Sequence, residues 1–358
     1  MRFRELDGLR GIAAMAVVLY HFTGHYNTYY PQDPLPKVDI WWGAFGVQLF
    51  FLISGFVILM SAEAAQRPSD FVISRVTRLY PVYWIVLILG VMIAAVFAVP
   101  NVPHSPDIVA MNVTMVQRWF LVPNVLDVFW TLAVEMQFYV LLFMLLVITR
   151  CSLSERLMVR VVLTWLGVSL VVAVWAFPAA HGVTPQEVPT PVKLILNVTL
   201  ASYGPLFCTG MISFLSRRAH RVHWLLWPSA VVAVVVTGLT QEWEDAAVVA
   251  VICLAFIIVT SREATPALLL PPLQWLGKVS YSLYLVHSIA GFVVIHSLWP
   301  YLGREGAVIV ALAVVLVIAW ALWAFGERRL SRHMRSLLTR LRDRRSRSED
   351  ASSAAHGR

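Results

Sequence analysis

Long hydrophobic stretches recur along the chain and alternate with short polar segments. Each stretch has about the length that an α-helix needs to cross a hydrocarbon core of ~30 Å. Since only helices and closed barrels satisfy their backbone hydrogen bonds inside a bilayer, the pattern predicts an all-α, polytopic transmembrane helix bundle of about ten spans. The predicted spans are residues 9–25, 43–61, 80–99, 129–148, 159–178, 195–215, 224–240, 245–260, 277–298 and 305–325.

Composition strengthens this prediction. Of the 358 residues, 59% are hydrophobic and 13% are charged, and the charged fraction is about half that of a typical soluble domain. The composition argues against a water-soluble fold and against several separate soluble domains. The chain is predicted to consist of one transmembrane domain, residues 1–327, and a basic tail, residues 328–358.

The basic residues are predicted to lie on one side of the membrane. Lysines and arginines near the ends of spans stay on the cytoplasmic side during insertion. With ten spans, 24 of the 28 basic residues fall on the side that holds both termini, which predicts that both termini are cytoplasmic. This asymmetry accounts for the net charge of +8, so the charge does not indicate nucleic acid as a partner.

The tail carries nine arginines between Arg328 and Arg347, with leucines interleaved among them. Such a segment is typical of one that lies on an anionic membrane surface and anchors the topology, with a specific partner site as the alternative. The last dozen residues are rich in serine and alanine and are predicted to be disordered.

Ionisable residues inside the predicted spans mark candidate functional sites, because each is costly in hydrocarbon. Arg10 and His21 share one face of the first span, about 16 Å apart along its axis. Arg10 suits the anionic end of a substrate, and His21, beyond mid-depth, suits a general base. The alternative is an interfacial anchor and a packing histidine. His25 follows one turn later, but the sequence offers no third ligand near this pair, so no metal is predicted.

Two arginines precede the third span. Arg75 and Arg78 are three residues apart, so they share a helical face. Their guanidinium groups have the geometry to bind phosphates bidentately, as an adenosine phosphate and a pyrophosphate require. The alternative is that the two arginines only fix the orientation of the span.

Further polar residues lie inside two other spans. Glu135 in the fourth span lies at a depth similar to that of His21, so it is a candidate to orient His21 or to bind an acceptor hydroxyl, with a structural ion pair as the alternative. Ser280, Tyr284 and His287 share one face of the ninth span. This stripe is predicted to face the bundle interior, either as a substrate contact or as hydrogen bonds between helices.

Together these segments resemble the acyltransferase-3 family of bacterial multipass membrane O-acyltransferases. The resemblance covers nearly the whole chain, with Thr131 in place of the usual serine. Five motifs carry it in order: Arg10 with His21; Phe50 to Phe56; Arg75 and Arg78 with Pro81, Tyr83 and Trp84; Trp130 to Tyr139; and Gly277 to His287.

The resemblance implies transfer of a short acyl group, most often acetyl, from acyl-CoA to a hydroxyl of a carbohydrate, glycolipid or cell-envelope polysaccharide precursor. It places the protein in the bacterial cytoplasmic (inner) membrane. Acylation of a small secondary metabolite such as a macrolide is the competing acceptor class. A transporter or export partner that performs no covalent chemistry is the competing class of protein.

The candidate residues follow from the motifs and the positions above. His21, Glu135 and Arg10 are predicted to act in catalysis, and Arg75, Arg78 and Arg10 are predicted to bind acyl-CoA. No metal ligand is assigned. Five further residues are predicted to line the substrate site: Ser54, Trp130, Tyr139, Tyr284 and His287.

Overall fold

The computed structural model describes residues 3–184, 187–262 and 264–356, with side chains up to Asp343. Over these residues the protein consists of helices and connecting turns, without a strand. The α-helices are α1 (Arg4–Tyr20), α2 (Tyr26–Tyr29), α3 (Gly46–Glu63), α4 (Pro68–Phe97), α5 (Pro106–Val113), α6 (Phe129–Ile148), α7 (Glu155–Ala180), α8 (Thr190–Thr199), α9 (Gly204–Arg218), α10 (Leu226–Thr240), α11 (Trp243–Ser261), α12 (Pro271–Leu322) and α13 (Ser331–His356).

The all-helical prediction is confirmed for the described residues, and so is a multi-pass membrane architecture. Seven helical segments are long and apolar enough to cross a membrane, and α10 is a shorter apolar helix. Each of the ten predicted stretches falls on a helical segment, but the number of spans and the side of the termini stay predictions. The seven segments are Trp41–Glu63, Pro68–Phe97, Phe129–Ile148, Glu155–Ala180, Thr190–Arg218, Trp243–Ser261 and Pro271–Asp343.

Two of these segments contain a break in the helix. Gly303 inside α12 has φ 70° and ψ 168°, a conformation that glycine adopts at little cost. It separates the predicted stretches 277–298 and 305–325. Leu200, with φ 53°, ends α8 ahead of α9, so the predicted stretch 195–215 is also interrupted.

Helices of the bundle pack closely at crossings that contain a glycine, because glycine has no side chain. A Cβ atom on Gly277 would lie 2.0 Å from the carbonyl oxygen of Asp7, where α12 crosses α1. A Cβ atom on Gly210 would lie 2.0 Å from the carbonyl oxygen of Leu52, where α9 crosses α3. Small residues at such crossings let backbones approach and gain van der Waals contact. The four helices therefore form a fixed frame around the polar residues.

The basic tail begins as a continuation of the last predicted span. A π-helical segment, Trp323–Leu330, joins α12 to α13. Helix α13 packs against α4, and Arg342 forms an ion pair with Asp70 near the start of α4. The predicted disorder at the end of the tail is untested, since residues 357–358 and the side chains after Asp343 lie outside the described residues.

Candidate active site

His21 occupies a widened turn that the sequence did not predict. The predicted regular helix over residues 9–25 ends at Tyr20, and His21–His25 form a π-helical turn. Such turns are rare and are found disproportionately at functional sites. His21 is buried, and its Nδ1 lies 2.9 Å from the carbonyl oxygen of Val17. Because a carbonyl only accepts, Nδ1 carries the hydrogen, which leaves the lone pair of the neutral ring on Nε2.

Residues from the far end of the chain support this turn. Arg304, buried on α12, donates from Nη2 to the carbonyl oxygen of Phe22 at 2.6 Å. Its guanidinium carbon lies 4.2 Å from the ring centroid of Tyr26. A π-helical turn leaves backbone groups without their usual α-helical partners, and Arg304 satisfies one of them. The long-range contact explains why local sequence did not reveal the turn.

His25 pairs with a carboxylate that was absent from the predicted site. Its Nε2 lies 2.6 Å from Oδ2 of Asp127, just before α6. The ring centroids of His25 and His21 are 5.0 Å apart. Burial raises the pKa of the Asp127 carboxyl, but the hydrogen bond and charge of His25 outweigh it, so the pKa lies below its ordinary value. Asp127 is therefore an ionised partner next to the His21 turn.

These three residues are also a possible metal-ligand set. The ligand atoms of His21, His25 and Asp127 lie within 4.8 Å of one another, so Asp127 supplies the third group that sequence reasoning did not find. Two ligands on a tetrahedral Zn²⁺ at ~2.0–2.1 Å lie roughly 3.3 Å apart. The 2.6 Å separation of His25 and Asp127 is shorter than this and is that of an ion pair. The prediction that no metal is used stays a prediction.

A narrow cavity of about 70 Å³ lies between α1, α3, α4, α6 and α12, and we call it the inner cavity. Its charged lining consists of Arg10, Arg78 and Glu135. Ser54 donates to Oε1 of Glu135 at 2.8 Å, and Tyr139 donates to the same oxygen at 2.6 Å. Glu135 therefore interacts with two predicted substrate-site residues, and none of its described hydrogen bonds reaches His21.

A tyrosine at the outer end of the inner cavity lies between this cavity and the histidines. Tyr284 lines this cavity, and its hydroxyl lies 2.8 Å from Oγ1 of Thr131. The ring centroid of Tyr284 is 5.8 Å from that of His287, which is 4.7 Å from that of His21. Nδ1 of His287 donates to the carbonyl oxygen of Tyr284 at 2.8 Å, and its buried Nε2 has no partner among the described residues. The predicted stripe on α12 therefore joins the cavity to His21.

The two predicted phosphate-binding arginines lie in different surroundings. Arg75 is buried, and its Nη2 donates to the hydroxyls of Ser61 and Ser74 at 2.9 and 3.0 Å. Arg78 is half-buried and makes no hydrogen bond or ion pair to another described side chain. It lines the inner cavity and also a second cavity of about 250 Å³ on the predicted cytoplasmic side, which we call the mouth cavity. Arg78 is therefore better placed than Arg75 to meet a ligand.

The mouth cavity lies between the start of α4 and the start of the tail. It is lined by Ser74, Thr77, Arg78, Glu327, Ser331, Arg332 and Arg335. Glu327 accepts a hydrogen bond from Ser282 at 2.6 Å. In the sequence Glu327 marked only the end of the last span, and Arg332 and Arg335 were among the anchoring arginines of the tail.

A larger groove of about 1020 Å³ lies at the opposite end of the bundle, and we call it the outer groove. It shares Val47 with the inner cavity, and Tyr20, the residue before His21, also lines it. Predicted site residue Trp130 lies in this groove and not in the inner cavity. Its other aromatic and polar lining residues include Trp41, Tyr203, Gln48, Arg118, Asn124, Lys193, Asn197, Glu242 and Asp245.

The structure thus divides the predicted site residues into connected groups. Arg10, Ser54, Arg78, Glu135, Tyr139 and Tyr284 lie in or beside the inner cavity, while His21 and His287 lie beyond its outer end. Sequence reasoning missed Asp127 and Glu327. A signal for Asp127 exists, because it immediately precedes a span on the same predicted side as His25.

The arrangement is that of a membrane-embedded group-transfer enzyme, with a basic mouth, a narrow cavity and histidines at its far end. The sequence model of the acyltransferase-3 family, described as an acyltransferase domain, matches residues 3–325. The chain belongs to this family.

Three curated relatives illustrate the family. The peptidoglycan O-acetyltransferase OatA of Listeria monocytogenes is 25% identical over 79% of this chain and 48% of its own length. The exopolysaccharide production protein ExoZ of Rhizobium meliloti is 30% identical over 70% of this chain and 78% of its own length. The acyltransferase MdmB of Streptomyces mycarofaciens is 29% identical over 39% of this chain and 38% of its own length.

The chain therefore spans about half the length of the Listeria relative. No solved structure matches the chain.

Proposed function

We propose that this protein is an O-acetyltransferase of the bacterial cytoplasmic membrane that moves acetyl from acetyl-CoA to a hydroxyl of a cell-envelope carbohydrate. The observation that carries the proposal is the linear order of the site. A basic mouth cavity meets the inner cavity at Arg78, and Tyr284 and His287 connect the inner cavity to His21. A donor with an anionic head and an extended arm matches this order.

The donor enters from the mouth cavity in this proposal. Arg78 and Arg10 hold the phosphates and steady the arm, because guanidinium groups bind phosphate oxygens bidentately. Arg75, bound to Ser61 and Ser74, positions this part of α4. The thioester end of the donor lies in the inner cavity, which is lined largely by apolar side chains.

His21 acts as the general base. The Nδ1 hydrogen bond to Val17 presents Nε2 as the proton acceptor. Nε2 removes the proton of the acceptor hydroxyl while its oxygen attacks the thioester carbonyl, and collapse of the tetrahedral intermediate expels the CoA thiolate. The thiolate takes up the proton that His21 received, so that an O-acyl ester and free CoA result. Formation of an acetyl-histidine first is the alternative route through the same atom.

His25 and Asp127 assist this step from the outer side. The ionised Asp127 orients His25, and the imidazole of His25 lies against that of His21. A carboxylate near His21 stabilises the imidazolium that forms when the proton is taken. Glu135, bound to Ser54 and Tyr139, instead acts on the arm of the donor inside the inner cavity.

The acceptor reaches His21 from the outer groove. Aromatic rings beside amides and charged groups are typical of carbohydrate sites, because a sugar has an apolar face and a rim of hydroxyls. Trp41, Trp130 and Tyr203 supply the rings. Gln48 and Arg118 line the groove, and the buried Oε1 of Gln48 and Nε of Arg118 have no hydrogen-bond partner among the described residues. Relatives named for peptidoglycan and exopolysaccharide support a carbohydrate acceptor.

The experiment uses the full chain in proteoliposomes with acetyl-CoA labelled in the acetyl group. Muropeptides and an exopolysaccharide are offered in one arm and a macrolide in another. The proposal predicts an alkali-labile labelled ester on carbohydrate. Label that crosses the membrane of proteoliposomes without a new ester would indicate a transporter, and label on the macrolide alone would overturn the carbohydrate acceptor.

A further inference from the structure

The lining of the mouth cavity carries a net positive charge. Arg78, Arg332 and Arg335 contribute three guanidinium groups and Glu327 one carboxylate, which leaves a surplus of two positive charges. Three hydroxyls, those of Ser74, Thr77 and Ser331, complete the lining. Arginines with hydroxyl donors are the side chains that bind phosphate groups.

One ion pair docks the tail on α4 beside the mouth cavity. Nε of Arg332 donates to the carbonyl oxygen of Arg328, which leaves its terminal nitrogens available. Farther along α13, Arg342 forms an ion pair with Asp70 of α4. Arg335 lies between these contacts and makes no ion pair with a described side chain. The tail is thus docked on the helix that carries Arg78.

We infer that Arg332 and Arg335 bind the phosphate of the donor that lies farthest from the thioester, which in acetyl-CoA is the 3′-phosphate. This inference rests on the proposed function. Arg78 lines both the mouth cavity and the inner cavity, so it meets the phosphates nearer the arm. Arg332 and Arg335 lie outside Arg78 along the same path. The tail is then a specificity element for the donor and not only a membrane anchor.

The shared chemistry is recognition of a phosphate group, which a lipid headgroup also carries. The two sources differ in a testable way. A 3′-phosphate site distinguishes acetyl-CoA from acetyl-3′-dephospho-CoA in a membrane without anionic lipid. A headgroup site makes no such distinction, and its occupancy changes when phosphatidylglycerol is added.

The experiment measures the dissociation constants of acetyl-CoA and acetyl-3′-dephospho-CoA for the full chain in phosphatidylcholine nanodiscs. For the wild-type protein we expect binding of acetyl-CoA to be about tenfold tighter, since an exposed charge-assisted contact contributes about this factor. In the double variant R332A/R335A the two constants become equal. R340A is the matched control, because Arg340 is exposed on the same helix and outside the mouth cavity, and it keeps the preference.

The outcomes separate the inference from the proposed function. Wild-type protein that binds neither compound overturns the acyl-CoA donor and the inference with it. Equal binding of both compounds by the wild-type protein overturns the inference alone. If the wild-type protein binds both compounds equally and R332A/R335A reduces the binding of phosphatidylglycerol, the arginines are assigned to lipid. If the alanine variant misfolds, R332K/R335K replaces it, and we expect a reduced but measurable preference because lysine keeps the charge and loses the bidentate geometry.

Discussion

Replacing Asp127 by asparagine removes the negative charge beside His25 and keeps a hydrogen-bonding side chain. A hydrogen bond to a charged group contributes roughly 1.5–3 kcal/mol and a neutral one roughly half as much. Because the Asp127 side chain is 38% exposed, solvent screening reduces the difference to about 1 kcal/mol. At about 1.4 kcal/mol per factor of ten, the variant is expected to lose about fivefold in kcat.

The assay is the steady-state transfer of labelled acetyl at saturating acceptor. Asp127→Ala loses the whole interaction, about 2 kcal/mol, and is expected to lose about 30-fold in kcat. The KM for acetyl-CoA stays unchanged in both variants, since Asp127 does not line the inner cavity or the mouth cavity. Asp107→Asn, an exposed carboxylate at the start of α5 that lines none of the three cavities, is the control and keeps the wild-type rate.

The pH dependence provides an internal check on this reasoning. The pKa of Asp127 lies below its ordinary value, so the carboxylate is ionised from about pH 5 upwards. Titration of Asp127 itself is therefore expected to add no step to the pH dependence of the wild-type rate between about pH 5.5 and 8. Wild-type kcat in Asp127→Asn and Asp127→Ala would refute the assignment of the His25–Asp127 pair to the site.

Two further predictions concern the frame that holds the site. Arg304→Met leaves the Phe22 carbonyl without its hydrogen-bond donor, so we expect the free energy of unfolding to fall by about 2–3 kcal/mol. The thermal midpoint in detergent should be lower, and Arg304→Lys should recover part of the loss. An unchanged midpoint would contradict the claim that Arg304 supports the π-helical turn. Gly277→Ala places a methyl group 2.0 Å from the Asp7 carbonyl oxygen and should lower the yield of monodisperse protein. Gly167→Ala is the control and should keep the yield, because no atom lies within 4 Å of the added methyl group. Equal yields of the two variants would contradict the close packing of α1 on α12.

Hydrophobic length was enough to locate the long apolar helices, because each helix in lipid must satisfy its own backbone hydrogen bonds. It did not reveal the π-helical turn, which depends on Arg304, nearly 300 residues away. The same limit applies to Asp127, since its approach to His25 depends on how α6 packs. Arg10 and His21 became candidates because ionisable groups in apolar stretches are rare and costly, and Arg78 because it lies one helical turn from Arg75.

Depth along a helix was a weaker guide to contacts. Glu135 and His21 are at similar predicted depths, yet Glu135 binds Ser54 and Tyr139. The neighbours of a side chain depend on which faces of the helices meet, and these faces are known only once the helices are packed in the bundle. The tail arginines show a related limit. In the sequence they form a uniform run, and only the docking of α13 on α4 distinguishes Arg332 and Arg335 from the rest.

The central claim is that the imidazole of His21 takes the proton of the acceptor. Its most direct test is the rate of labelled acetyl transfer from acetyl-CoA by His21→Gln protein in nanodiscs, with its fold checked by thermal midpoint and its donor affinity by acetyl-CoA binding. General base catalysis contributes roughly 10²–10⁴-fold, so we expect a loss of that size with the donor affinity unchanged. A folded His21→Gln protein that binds acetyl-CoA and transfers acetyl at the wild-type rate would contradict the account.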